Sequence, residues 1–528
     1  MRRPPRGKTL GRVTSPADAP RPSPLERAAA LLLAAASIGV VVLFLHCVAA
    51  RFPYPYELSK MEGGFVSHAR WAAAGRPLHA PPTAEFVPFL YMPLAHHAAG
   101  ALVRVGLDGY AATRVVSLAG VALAIAAGIA LVVRATGRRA LAMLVPALVC
   151  ARYFDVECFY DQARPDNLMA GLCMLAVAAL AVPSARVALP LFVVSGTLAF
   201  FTKQSAALFL GVLLLGAAWL RWRLALAGGA LLAAAVVPLF LWMDARSDGW
   251  LATYTFKIAA YHTIDRGGLL ALVRSEFLNH YLLAGAAAAV AAVAALRAGR
   301  RPSAAAPDGA ALARHMVLSG ALAAGVFSLA SSTQRLAVRN VFVICAVAAA
   351  AFLPVALDSF REWLAGRPSA RARRLGWSAA LLVLAVDVAR GARDPRPWTP
   401  DAQDVATWRR LHDACARLGP PERTWVMLHG AAWGGRTGDP FHLHYGALVD
   451  LMGGYFGRLT GVEVPADLRE RIEGGWYTAI VVASWDHRAR ALLDGRYEPW
   501  PGFEPIRLPV FSGYPPGRSE IWVPVKRR

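Results

Sequence analysis

Between residues 28 and 390 the chain alternates apolar runs with short polar gaps, about eleven runs in all. They fall near 28–50, 112–133, 140–156, 167–183, 187–201, 205–220, 224–243, 278–296, 315–331, 341–357 and 376–390. Each run is continuous rather than alternating, and most approach the roughly 20 residues with which an α-helix crosses a hydrocarbon core. The stretch 86–105 is weaker, because His96, His97 and Arg104 interrupt it. It reads as an amphipathic helix lying flat at the membrane interface. Beyond residue 391 the long runs stop. A Pro-rich linker at 394–398 leads to a helix candidate at 405–418 and to strand candidates at 424–428, 477–482 and 519–525. The predicted fold class is therefore mainly α: a polytopic transmembrane helical bundle of about 11 helices with a small C-terminal soluble α/β domain. The expected domains are a disordered cytoplasmic tail at 1–27, the membrane domain at 28–390 and an extracytoplasmic domain at 391–528.

Composition agrees with the pattern. Of 528 residues, 56% are apolar and 17% charged, and the mean hydropathy is +0.42. Such a chain is too apolar for a soluble multidomain protein. The formal net charge of +22 raises nucleic acid as a partner, but no basic stripe with interleaved aromatics is present. The arginines instead lie in gaps between apolar runs, as topology determinants do. Charge also sets the threading. With 86–105 flat, Arg134, Arg138, Arg139, Arg186, Arg221, Arg223, Arg297, Arg300, Arg301 and Arg361 all fall in the cytoplasm. The N-terminus is then inside and the C-terminus outside. The six cysteines show no framework or metal-ligand spacing.

That threading gathers the polar residues of membrane depth on the outer face: Glu57, Lys60, Glu62, His68, Asp161, Arg164, Asp166, Lys203, Gln204, Lys257, His262, Gln334 and Arg335. Ionisable groups there are costly and mark function by default. A carboxylate can act as a general base on a hydroxyl, and Lys and Arg can hold a phosphate leaving group. Plainer readings compete. Glu62 sits before a glycine pair as any loop acid might, Asp166 suits the start of a helix, and His442 with His444 share a strand face without a third ligand in view. No metal and no cofactor are expected.

The segments Tyr56-Glu57-Leu58, Met61-Glu62-Gly63-Gly64, Gly75-Arg76-Pro77-Leu78 and 86–94 resemble the start of GT-C superfamily glycosyltransferases, in particular bacterial relatives of protein O-mannosyltransferases and lipid A aminoarabinose transferases. The segment 161–168 resembles that group's second outer loop, and Phe201-Thr202-Lys203-Gln204-Ser205 its lysine loop. The resemblance covers about residues 28–345. It implies an integral enzyme of a bacterial inner membrane that moves a monosaccharide from a polyprenyl-phosphate donor to an extracytoplasmic glycan, lipid or protein. On this reading Glu62 or Glu57 is the catalytic acid, and Lys203, Gln204, Arg164, Asp166 and Arg335 contact donor phosphate or substrate. Met61 stands where relatives often keep an aspartate, so the base remains open between Glu57 and Glu62. A lipid or glycan transporter and an inactive scaffold of the same fold are the alternative readings.

Overall fold

The computed structural model describes residues 23–261, 275, 278–298, 308–334, 338–452, 462–513 and 517–525. The disordered tail expected at 1–27 lies almost wholly outside the described residues, as do His262 and Arg335.

Each of the eleven apolar runs lies on a helix. The first is α1 (Pro24–Arg51), opened by a capping box between Ser23 and Glu26. After α2 (Glu62–Ala73) and α3 (Leu94–Arg104) come α4 (Gly109–Thr136), the broken pair α5 (Arg139–Ala142) and α6 (Leu144–Ala151), α7 (Pro165–Leu180), α8 (Ala185–Thr202) and α9 (Ala206–Arg246). The bundle is completed by α10 (Leu282–Ala298), α11 (Gly309–Ser332), α12 (Val343–Ala365) and α13 (Ala370–Ala389). Among the described residues six helices are long and apolar enough to cross a membrane by themselves. The protein is a multi-pass membrane protein.

One of those six, α9, is two runs in one. Its 41 residues contain a non-helical backbone at Arg221. Leu214 touches the position of a Gly229 Cβ, and Leu210 and Leu232 both reach Gly196. In a straight helix Leu214 and Gly229 would stand about 22 Å apart, so the chain doubles back at Arg221. The arginine holds the bend by donating to the carbonyls of Val182 and Pro183.

The tightest crossing joins α4 to α7. A Cβ on Gly120 would lie 2.4 Å from the backbone of Asn167, and one on Gly171 would lie 2.3 Å from the Gly120 carbonyl oxygen. Small residues at a membrane crossing let backbones approach and gain dispersion contacts. Gly120→Ala meets backbone rather than a flexible side chain, so it should cost about 1–3 kcal/mol, read as a lower unfolding temperature in detergent. Unchanged stability would mean that the crossing is looser than described.

This crossing also sets depth. Asn167, near the start of α7, meets α4 at Gly120, about 16 Å below the first residue of α4 at 1.5 Å per residue. The loop before α7 rises from there to the first loop and the C-terminal unit, where Ala163 meets Glu62 and Glu157 meets Ser512 and Gly513. The apolar run 140–156 is helical only to Ala151, after which a buried turn follows.

The flat helix expected at 86–105 is shorter. Pro88 and Pro93 lie in irregular backbone, and only Leu94–Arg104 is helical. It packs against α2 and α4 in a small core of Ala69, Ala99, Val103, Ala112 and Val116.

The C-terminal part holds α14 (Ala402–Ala416), α15 (Tyr445–Leu451), α16 (Ala466–Glu473) and α17 (His487–Leu493) around strands β1 (Thr424–Val426), β2 (Ala479–Ala483), β3 (Tyr497–Pro499), β4 (Ile506–Arg507) and β5 (Arg518–Pro524). The sheet order is β1-β2-β5-β3, with β4 also on β5; β1 and β2 are parallel and the other pairs antiparallel. Alternating residues serve two cores. Trp425, Ile480 and Val482 share one core with Phe65 and Phe89 of the helical part. Val426, Val481 and Ile521 meet Tyr54, Tyr56 and Leu58 of the first loop and Trp408 of α14. The first loop and the C-terminal unit thus lie on one side of the bundle, which requires an even number of crossings between them; the ten apolar runs after α1 satisfy it.

Candidate active site

The first loop is built around one arginine. Arg114, on the first turns of α4, donates from Nη1 to the carbonyls of Arg51, Phe52 and Tyr54 and from Nη2 to that of Tyr56. Its Nε and Nη2 also form a bidentate pair with Glu62, at 3.0 and 2.9 Å, with both side chains fully buried. Glu62 accepts two further bonds, from the backbone N–H of Leu58 (2.6 Å) and of Ala163 (3.0 Å). Each carboxylate oxygen therefore holds two donors. Arg114 escaped the sequence reading because an arginine near a helix end looks like an interfacial anchor.

Glu57 is as deeply buried but differently served. Its Oε2 lies 2.5 Å from Nδ1 of His429, a residue 372 positions away in the C-terminal unit. Its Oε1 has no side-chain partner and lies against the backbone of Gly63. Burial pushes the carboxyl well above the usual carboxylate range, and neighbouring Glu62 pushes the same way, partly offset by the backbone N–H groups of Gly63 and Ala431. A Cβ on Gly63 would fall 1.8 Å from Oε1, and one on Gly64 would fall 2.2 Å from the Phe89 ring. The glycine pair thus makes room for Glu57 and Phe89.

A second group of polar residues lies at the sunken start of α7. Lys203, between α8 and α9, pairs with Asp166 at 2.7 Å and stands 5.4 Å from the Tyr91 ring centroid. Burial pulls the Lys203 pKa down, but Asp166 and Tyr91 raise it further, so it stays charged. Arg164 is 9% exposed and makes no hydrogen bond or ion pair with any described residue. Its guanidinium rests on the rings of Phe65 and Phe159, at 5.6 and 5.2 Å. It borders a cavity lined also by Phe65, His96, Ala99, Thr113 and Val116, from α2, α3 and α4. The Nε2 of His96 is likewise unpartnered, and burial, then His68, hold that ring neutral by lowering its pKa. Asp161, also on this loop, is by contrast paired with Arg51 and Tyr153 at 2.8 and 3.0 Å.

Charge counting separates these groups. Glu62 with Arg114, and Asp161 with Arg51, balance. At the start of α7, two cations (Arg164, Lys203) face one anion (Asp166), leaving one buried positive charge uncompensated. An unpaired buried ion costs several kcal/mol, so a site that keeps one is shaped for an anion. Gln204 stands apart: it donates to the carbonyls of Leu90 and Thr255 at 2.8 and 2.9 Å and ties two loops together. His68 is also structural. It bonds the Gly64 carbonyl and accepts from the Phe89 N–H. Among the described residues no cluster of three or more His, Cys, Asp or Glu has metal-binding geometry.

No protein-family model matches the chain, and no curated protein does. Solved structures do. The chain is similar to ArnT from Cupriavidus metallidurans bound to undecaprenyl phosphate, with a TM-score of 0.56 and 15% identity over 94% of this chain and 98% of that one. The apo state of the same enzyme matches with a TM-score of 0.54 and 14% identity, over 93% and 97%. The chain therefore has the fold of that enzyme over nearly its whole length, including the C-terminal unit that the sequence resemblance did not reach.

Proposed function

We propose that this protein is a membrane glycosyltransferase that takes a monosaccharide from a polyprenyl-phosphate donor and passes it to an extracytoplasmic acceptor. The observation that carries the reading is Arg164, a nine-tenths-buried cation without a counter-ion beside the Lys203–Asp166 pair. In the similar ArnT structure undecaprenyl phosphate is bound, which is the class of anion this charge would fit. The charge threading supports a site on the outer face of an inner membrane, with the N-terminus cytoplasmic.

The chemistry follows from which groups are free. An acceptor hydroxyl attacks the anomeric carbon, the bond from that carbon to the phosphate oxygen breaks, and the electron pair leaves on the polyprenyl phosphate. The hydroxyl proton goes to a carboxylate. Glu57 suits that role better than Glu62: its Oε1 has no side-chain partner, and burial raises its affinity for a proton. Glu62 has every lone pair engaged and holds the loop. Arg164 and Lys203 stabilise the charge on the departing phosphate. A single displacement inverts the anomeric configuration.

Arg164→Leu tests the donor site. A charge-assisted contact contributes about 1.5–3 kcal/mol, so undecaprenyl phosphate should bind about 10- to 100-fold more weakly. Removal of an uncompensated buried charge should meanwhile leave the unfolding temperature of the free protein unchanged or higher. Thermal shift of the purified protein with undecaprenyl phosphate, against the uncharged polyprenol, measures both. A wild-type protein that the phosphate does not stabilise would contradict the reading.

A further inference from the structure

We propose that His429 of the C-terminal unit is the positioning residue of Glu57, so that the proton acceptor of the site is complete only when the strap 429–439 is seated on α2 and α4. The inference rests on the transferase reading above.

The strap is fastened along its length. Ser67 donates to the Gly430 carbonyl at 2.5 Å and Tyr110 to the Ala431 carbonyl at 3.2 Å. The N–H of Gly109, the first residue of α4, donates to the Gly435 carbonyl at 3.0 Å, and Arg70 donates to that of Asp439. Gly434 and Gly435 have φ of +95° and +67°, the left-handed region that lets the strap turn without a Cβ penalty. The Gly435 position is also tight, since a Cβ there would lie 2.8 Å from Val66. These contacts fix the His429 ring over the first loop, and Trp408 packs edge-on against it at 5.0 Å.

A buried histidine bonded to a buried acid is often only a satisfied core pair. Three features point further here. The pair joins two distant parts of the chain at a fully buried acid of the first loop whose Oε1 has no side-chain partner. Gly63 is bare where any side chain would strike that acid. Finally, the ring supplies a donor without adding a charge: burial, and then Lys60, push the His429 pKa down to about 3. The charged and titratable groups around the pair are Glu62 with Arg114, Tyr110, Lys60 and His444. A neutral Nδ1–H donating to Oε2 stabilises the ionised form of Glu57 and fixes the carboxylate with Oε1 on the side of Gly63.

The test uses the full-length protein in liposomes with a labelled polyprenyl-phosphate sugar. The base acts when ionised, so the rate rises with pH through the Glu57 pKa. Without its donor the carboxyl titrates higher, so His429→Leu should move the acidic limb of the pH profile up by about one unit and lower kcat about 100-fold, with the donor KM unchanged. His429→Asn restores an amide N–H near Nδ1 and should return the limb towards wild type, whereas His429→Gln should not. If the Leu variant fails to accumulate, the Asn and Gln variants decide. A limb at the wild-type pH in both the Leu and Gln variants would overturn the proposal and leave the transferase reading standing. A wild-type protein that transfers no sugar would instead overturn that reading and this proposal with it.

Discussion

Glu57→Gln should yield a folded protein whose transfer rate is lower by about 10²–10⁴, the usual contribution of a general base. The substitution keeps shape and removes only the ability to take a proton. Folding should survive because burial already disfavours the ionised carboxylate, and a neutral amide at that place removes a desolvation cost. The amide can still hydrogen-bond Nδ1 of His429, so the strap should stay seated. Donor affinity should not change, since Arg164 and Lys203 are untouched. Single-turnover transfer with saturating donor measures the chemical step directly. A Glu57→Gln protein that transfers at the wild-type rate would remove Glu57 from the chemistry.

Glu62→Gln should fail differently, by loss of fold. Glu62 and Arg114 are both fully buried, and removing one partner leaves the other charge buried and unpaired, at a cost of about 3–5 kcal/mol. That is a large share of the 5–15 kcal/mol by which proteins are stable. Arg114→Leu should cost more still, because it also strips donors from the carbonyls of Arg51, Phe52, Tyr54 and Tyr56. The measurement is the fraction of monodisperse protein after detergent extraction, together with its unfolding temperature. A Glu62→Gln protein as stable as wild type but inactive would reverse the roles given to the two glutamates.

The contrast between these acids shows where the sequence was legible. Continuous apolar runs announce membrane helices whatever surrounds them, so all eleven could be read, including the two arms of α9, with their boundary at Arg221. β1, β2 and β5 stood out as short apolar strands. α2 did not, because Gly63 and Gly64 argue against a helix; nearly every residue of that helix is buried, and tertiary packing outweighs propensity. The candidate residues Glu57, Glu62, Arg164, Asp166 and Lys203 were visible as ionisable groups at membrane depth, but not their partners. Whether an acid is saturated or free depends on contacts such as Glu62 with Ala163 or Glu57 with His429, which no local spacing encodes. Arg164 looked like one cation among many until its lack of a counter-ion was seen.

Transfer of sugar from a lipid phosphate by this chain can be measured directly. Purified wild-type protein in liposomes, given radiolabelled polyprenyl-phosphate monosaccharides and cell-envelope extract as acceptor, should release free polyprenyl phosphate and label the extract, and should do neither with Glu57→Gln. Release and labelling at equal rates by both proteins, or by neither, would contradict the proposed mechanism.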